Sequence, residues 1–154
     1  MRHPRHDILG VVLAGGRSSR MGQNKALMKY KGKPMVQHML DTLSDLGTDR
    51  QIISGHVEGY EGIEDDTPLS GPVGAIIGIT KRFRSDHGYL FVPVDMPLLD
   101  VDFLSLLLRH EEGACFEAHP LPVYLPGKSK ISGFQGTRVK EFIKFMGVSM
   151  IKPS

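Results

Sequence analysis

The apolar run Ile8-Leu9-Gly10-Val11-Val12-Leu13 ends directly in the loop Ala14-Gly15-Gly16-Arg17-Ser18-Ser19-Arg20-Met21-Gly22-Gln23-Asn24-Lys25. A run apolar on both faces predicts a strand, over 8–14, in the middle of a parallel sheet. The loop behind it joins two adjacent glycines to two arginines and a lysine. Such a loop turns backbone N–H groups toward a phosphate chain and surrounds it with cations. It is not a Walker A loop, because Gly22 is followed by Gln23-Asn24-Lys25 and not by Lys-Ser/Thr. Nor is it the dinucleotide fingerprint, because Gly15 and Gly16 are adjacent. The plain alternative is a glycine turn at a strand end. The concentration of positive charge argues for a phosphate loop of another kind.

Downstream, helical and extended patterns alternate. Pro34 opens a helix. Met35, Val36, Met39, Leu40, Leu43 and Leu46 form its apolar stripe, and Gly47 caps its end. A short second strand is predicted over 51–54. The loop 55–70 that follows is rich in Gly, Asp and Glu, with Ile63 as its one clear apolar anchor. A helix over 73–83 precedes a strand over 89–94 that Pro93 breaks. Asp100 caps a helix over 101–110 that is apolar nearly all round. Two short strands, 114–118 and 122–125, are expected on either side of the loop His119-Pro120-Leu121-Pro122. A last helix over 138–146 carries Val139, Phe142, Ile143 and Met146 on one face and ends at Gly147. Strands alternating with helices define an α/β chain: a three-layer α/β/α sandwich with a mostly parallel, Rossmann-like sheet. Ligands of such sheets bind at the carboxyl ends of the strands. The glycine loop, the acidic loop and Asp95 each follow one strand, so three loops converge on one crevice.

Composition narrows the class. A chain of 154 residues is one domain by length and long enough to bury a core. A formal net charge of +2 is no nucleic-acid signature, and the basic residues gather at the phosphate loop instead of in a stripe. Cys115 is the only cysteine, which rules out an intramolecular disulfide and agrees with a reducing compartment. No apolar run approaches the roughly 20 residues of a membrane span. The N-terminal Met1-Arg2-His3-Pro4-Arg5-His6-Asp7 is polar and leads into no signal-peptide core. The expectation is a cytoplasmic protein, monomeric, with no nucleic-acid or membrane partner. The pattern also lacks a Ser-His-Asp arrangement, a Cys/His metal spacing and paired catalytic carboxylates, which argues against a hydrolase.

Three segments, in order, carry a resemblance: Leu13-Ala14-Gly15-Gly16-x-Ser18-x-Arg20-Met21-Gly22-x-x-Lys25, then Gly71-Pro72-Val73-Gly74-Ala75-Ile76, then Val94-Asp95-Met96-Pro97-Leu98. Together they resemble the molybdenum cofactor guanylyltransferase family of nucleotidyltransferases, from about residue 8 to about residue 125. The first alone points only to the wider nucleoside-triphosphate transferase group. The resemblance implies a nucleotide-diphospho-sugar transferase type of fold. It implies GMP transfer from GTP to molybdenum-molybdopterin with release of pyrophosphate, Mg²⁺ as cofactor, and transient protein partners in cofactor delivery. It also implies an Asn-x-x-Pro segment followed by an acidic residue near the C-terminus. None stands in this chain, whose last residues are Met150-Ile151-Lys152-Pro153-Ser154, and the stretch 125–138 is short for the family. The expectation is a single nucleotidyltransferase domain over 1–154, short at its C-terminal end, and no C-terminal catalytic residue is assigned.

Within this frame Lys25 and Arg20 are the candidates for neutralising triphosphate charge. Arg17 reads as a solvent residue. The backbone of Leu13, Ala14, Gly15 and Gly16 would hold the phosphates. Asp95, at the end of a buried strand, is the candidate Mg²⁺ ligand, since Mg²⁺ takes one or two carboxylates plus phosphate oxygens and water. In isolation Asp95 also reads as a turn-capping aspartate. The resemblance places base recognition on an acidic residue of the 55–70 loop. Guanine offers N1–H and an amine as paired donors, which a carboxylate accepts together. Ile63-Glu64-Asp65 matches best, so Asp65 is preferred over Asp66. Gly71 and Pro72 open a helix whose N-terminus faces the ligand. His119 either supports the loop around it or helps hold the second substrate, and Cys115 reads as a buried apolar residue. Two alternatives stay open: a cytidylyltransferase acting on molybdopterin or another phosphorylated acceptor, and a non-catalytic nucleotide-binding adaptor in cofactor insertion.

Overall fold

A computed structural model of the chain describes residues 8–14, 25–63, 71–85, 87–127, 134, 136 and 138–152. Among them a six-stranded sheet is built from β1 (Ile8–Leu13), β4 (Arg50–Ser54), β5 (Gly88–Pro93), β6 (Ala114–Phe116), β7 (His119–Pro126) and β8 (Ser149–Ile151). Its order is β4-β1-β5-β7-β6-β8. β1 runs parallel to β4 and β5, β7 runs antiparallel to β5 and β6, and β8 is parallel to β6. β7 alone opposes the other five. A two-residue ladder, β2 (Lys29–Tyr30) with β3 (Lys33–Pro34), forms a small separate hairpin.

Among the described residues the sheet is covered by α1 (Met35–Leu46), α2 (Gly71–Arg82), α3 (Val101–Leu107) and α4 (Val139–Met146). The pleat divides the core in two. Ile8, Val12, Leu90 and Val92 face a cluster that includes Met39 and Leu43 of α1 and Leu104 and Leu107 of α3. Leu9, Val11, Tyr89 and Phe91 face the opposite cluster, with Val73 and Ile76 of α2 and Phe142 and Ile143 of α4. This double burial is why β1 and β5 read as continuous apolar runs. The predicted three-layer α/β/α sandwich is the observed fold.

Most element ends follow their sequence signals. Gly47 and Gly147 take left-handed φ of 99° and 70° and close α1 and α4, each donating its N–H to carbonyls of the last turn. The Asp100 carboxylate accepts from the Phe103 N–H at 2.9 Å, the predicted cap of α3. Several expectations need correction. α3 ends at Leu107, not at residue 110, and it is not buried all round: Leu104 and Leu107 are buried while Phe103 is exposed. In the loop after β4, Val57 is fully buried, so Ile63 is not the one apolar anchor. Pro93 does not break β5 but ends it, in register with Leu13. Pro120 and Pro122 do not separate two strands. They lie inside β7, where the register shifts between Cys115 and Phe116 and leaves residues 120–122 out of the ladder. A residue without an N–H is tolerated at such a bulge.

Candidate functional site at the carboxyl edge of the sheet

Backbone hydrogen bonds tie the three parallel strands together at their carboxyl ends. The Ala14 N–H donates to the Ser54 carbonyl at 2.8 Å, and the Val94 N–H donates to the Leu13 carbonyl at 3.1 Å. Leu13 and Ala14 therefore stand between the ends of β4 and β5. Asp95 follows one residue beyond Val94. Its carboxylate lies 3.9 Å from the Lys25 Nζ, with both side chains about half exposed. The Lys25 segment reaches this position through the β2–β3 hairpin. The Met28 N–H donates to the Lys25 carbonyl at 3.2 Å, and the Met35 N–H donates to the Met28 carbonyl at 2.8 Å.

α2 connects parallel strands β4 and β5, so its N-terminus returns to the same edge. Gly71, its first residue, has φ of +70°, a conformation that favours glycine, and Pro72 follows it, exposed. Beside Asp95 opens a cavity of about 490 Å³. Met96, Pro97 and Leu98 of the following turn, Phe103 of α3, and Phe116 and His119 of the β6–β7 hairpin contribute to its lining. Phe103 meets Phe116 edge-on, with ring centroids 5.7 Å apart. Leu98 is 78% exposed, so the cavity presents apolar surface to water. His119 begins β7 instead of sitting in a loop, pairs with Phe116 across the β6–β7 hairpin, and is exposed. Cys115 is fully buried and burial pushes its thiol up, as an apolar core residue requires.

The structure thus brings Leu13, Ala14, Lys25 and Asp95 together and puts Gly71 and Pro72 at the start of α2. Gly15, Gly16, Arg17, Arg20, Asp65 and Asp66 lie outside the described residues. Asp95 is the acidic group at the centre of this edge, and among the described residues no cluster of three or more His, Cys, Asp or Glu side chains forms. That donor set fits a hard divalent cation that takes one carboxylate and fills its shell with phosphate oxygens and water.

Sequence reasoning missed His38. Its Nε2 lies 2.9 Å from the Pro97 carbonyl oxygen and joins α1 to the turn that directly follows Asp95. A histidine on the polar flank of a helical stripe gives no warning of a bond that spans the fold.

A doubly covered, mostly parallel sheet with a lysine and an aspartate converging where its strands end defines a three-layer α/β domain with a charged carboxyl edge. Residues 10–126 match the MobA-like NTP transferase domain, and the chain belongs to that family. The molybdenum cofactor guanylyltransferase of Xanthomonas euvesicatoria pv. vesicatoria (strain 85-10) is 42% identical over 118 residues, 75% of this chain and 62% of the relative. That of Yersinia pestis (strain Pestoides F) is 36% identical over 115 residues, 70% and 59% of the two chains. The chain spans about three fifths of the length of these curated relatives. Among solved structures, the fold is shared with Rv0371c of Mycobacterium tuberculosis (TM-score 0.67, 19% identity, 97% of this chain and 89% of that one). It is also shared with molybdopterin-guanine dinucleotide biosynthesis protein A of Archaeoglobus fulgidus (TM-score 0.64, 18% identity, 94% and 83%). Among the described residues no helix is long and apolar enough to cross a membrane.

Proposed function

We propose that the chain is a single nucleotidyltransferase domain that transfers GMP from GTP to the terminal phosphate of molybdenum-molybdopterin. The observation that carries this reading is the Lys25–Asp95 pair, 3.9 Å apart beside an open apolar cavity at the carboxyl edge of the parallel strands. The names of the curated relatives, molybdenum cofactor guanylyltransferase, support this choice of substrates.

In this account the backbone of Leu13, Ala14, Gly15 and Gly16 cradles the triphosphate. Lys25 and Arg20 oppose the charge that builds on the leaving group. Asp65 accepts the two guanine donors, and the backbone of Gly71 and Pro72 borders the nucleoside. Asp95 holds Mg²⁺, which supplies positive charge at the phosphates when bound. The acceptor enters from the cavity side, its planar ring against Phe103, Leu98 and Pro97 and its phosphate toward Asp95. A phosphate-monoester oxygen attacks the α-phosphorus of GTP. The bond from that phosphorus to the α–β bridging oxygen breaks, and pyrophosphate leaves with the bond pair. The acceptor is largely dianionic near neutral pH, with a second pKa of about 6, so no protein base is required. Positioning and charge neutralisation then account for the rate. We place the protein in the cytoplasm as a monomer, passing its product to protein partners by transient contact.

Calorimetry with Mg²⁺ and GTP, CTP or ATP tests the base assignment. GTP is expected to bind tightest, and Asp65→Ala to weaken GTP by about tenfold or more while leaving CTP unchanged, as loss of a charged hydrogen-bond acceptor implies. Preference for CTP in the wild type would overturn the guanylyl reading.

A further inference from the structure

His38 stands at the junction of the two segments that carry Lys25 and Asp95. On one side its Nε2 meets the Pro97 carbonyl at 2.9 Å. A carbonyl only accepts, so Nε2 carries the proton and donates. On the other side the ring of Tyr30 packs edge-on against it, with centroids 5.2 Å apart. Tyr30 belongs to the β2–β3 hairpin, whose backbone bonds run back to Lys25. Pro97 belongs to the turn Met96–Leu99, which directly follows Asp95 and closes where the Leu99 N–H donates to the Met96 carbonyl at 3.1 Å. Among the described residues, His38 makes the one side-chain hydrogen bond that reaches this turn from another element.

The charged pair does not hold itself in place. At 3.9 Å, Lys25 and Asp95 are farther apart than the roughly 2.7–2.9 Å of a charge-assisted hydrogen bond. Both are half exposed, and neither touches the other tightly enough to fix a geometry. The scaffold under them must set their separation, and one path between them among the described residues runs through Tyr30, His38 and Pro97. We propose that His38 is a positioning residue for nucleotidyl transfer: it brackets the Lys25 segment against the Asp95 turn and so sets the distance between the two charges. This inference rests on the roles given to Lys25 and Asp95 above. His38 itself touches no reacting atom.

The test compares wild type, His38→Ala and His38→Gln, since glutamine carries an N–H donor at about the reach of Nε2. Two readouts are taken under conditions where every variant is folded: amide hydrogen exchange at Leu99, and kcat and KM for GTP. In His38→Ala we expect Leu99 to exchange about tenfold faster or more. We expect kcat to fall between about tenfold and a hundredfold, as small misplacements of catalytic groups do, with KM for GTP within about twofold of wild type. His38→Gln restores most of both. Unchanged exchange in His38→Ala, unchanged kcat despite faster exchange, or a glutamine variant no better than alanine overturns the proposal. A wild type that transfers no nucleotide defeats the activity reading and not the bracket, which the exchange at Leu99 then decides alone.

Discussion

Lys25 and Asp95 approach to 3.9 Å, one following the loop after the first strand and the other following β5. Their separation leaves both side chains half in water, where an ion pair contributes at most about 1 kcal/mol to stability. The pair therefore has little folding role to lose. Lys25→Ala and Asp95→Ala are each expected to leave the thermal unfolding midpoint within about 2 °C of wild type. Each lowers the rate of GMP transfer by about a hundredfold or more, the scale of losing a preorganised charge at a developing anion. Melting curves and initial rates on the same preparations check both halves. A large loss of stability with normal specific activity would make the pair structural.

The cavity beside Asp95 separates the two substrates in the proposed reaction. Leu98 is 78% exposed and touches the cavity, so a polar residue there costs the fold little. Leu98→Ser is expected to raise KM for the molybdopterin acceptor by roughly tenfold, in line with losing one buried leucine contact. KM for GTP stays unchanged. Steady-state kinetics with each substrate varied in turn makes the distinction, and equal effects on both would remove the acceptor from this cavity.

Gly10 is required by close approach and not by an unusual backbone. A Cβ built there would lie 3.1 Å from Leu43 Cδ1 and 3.2 Å from Thr48 Oγ1. Thr48 cannot yield freely, because its hydroxyl donates to the Leu43 carbonyl at 2.9 Å and accepts from Gln51 Nε2 at 2.8 Å. Gly10→Ala is expected to destabilise the fold by about 1–3 kcal/mol through overpacking between β1 and α1. Urea unfolding measures it.

Asp41 sets a pH dependence of stability. Its carboxylate accepts from Lys33 Nζ at 2.6 Å and from Gln37 Nε2 at 2.8 Å. The Lys33 bond, then the Gln37 bond, lowers its pKa below the ordinary 3.8, and the same contact with Asp41 raises that of Lys33. A folded-state pKa below the unfolded one means a contribution that is complete above 3.8 and is lost as pH falls through the lower, folded value. Exposure of both side chains keeps the contribution small. Asp41→Asn is expected to be slightly less stable than wild type at pH 7, with the difference vanishing in acid. A pH series of urea midpoints checks the sign.

Local signals carried most of the fold. β1 and β5 are buried on both faces, so their apolar runs were legible without any partner, and Gly47, Gly147 and Asp100 marked their helix ends by chemistry that acts within a few residues. What was illegible depends on partners far along the chain. β8 is three residues of ordinary sequence that become a strand only beside β6. Pro120 and Pro122 argue against a strand unless the bulge opposite Phe116 is already known. Within the site, Lys25 and Asp95 stood out through the company of their motifs. His38 did not, because its one telling contact is with a backbone carbonyl, and any residue supplies one of those.

The central claim is tested most directly by following label from α-phosphate-labelled GTP into molybdenum-molybdopterin, with pyrophosphate counted in parallel, for wild type and Asp95→Asn. The account predicts one pyrophosphate released for each GMP transferred by the wild type, and transfer by Asp95→Asn reduced by about a hundredfold or more. GTP bound by the wild type without transfer or pyrophosphate release, or an Asp95→Asn variant as active as wild type, would contradict it.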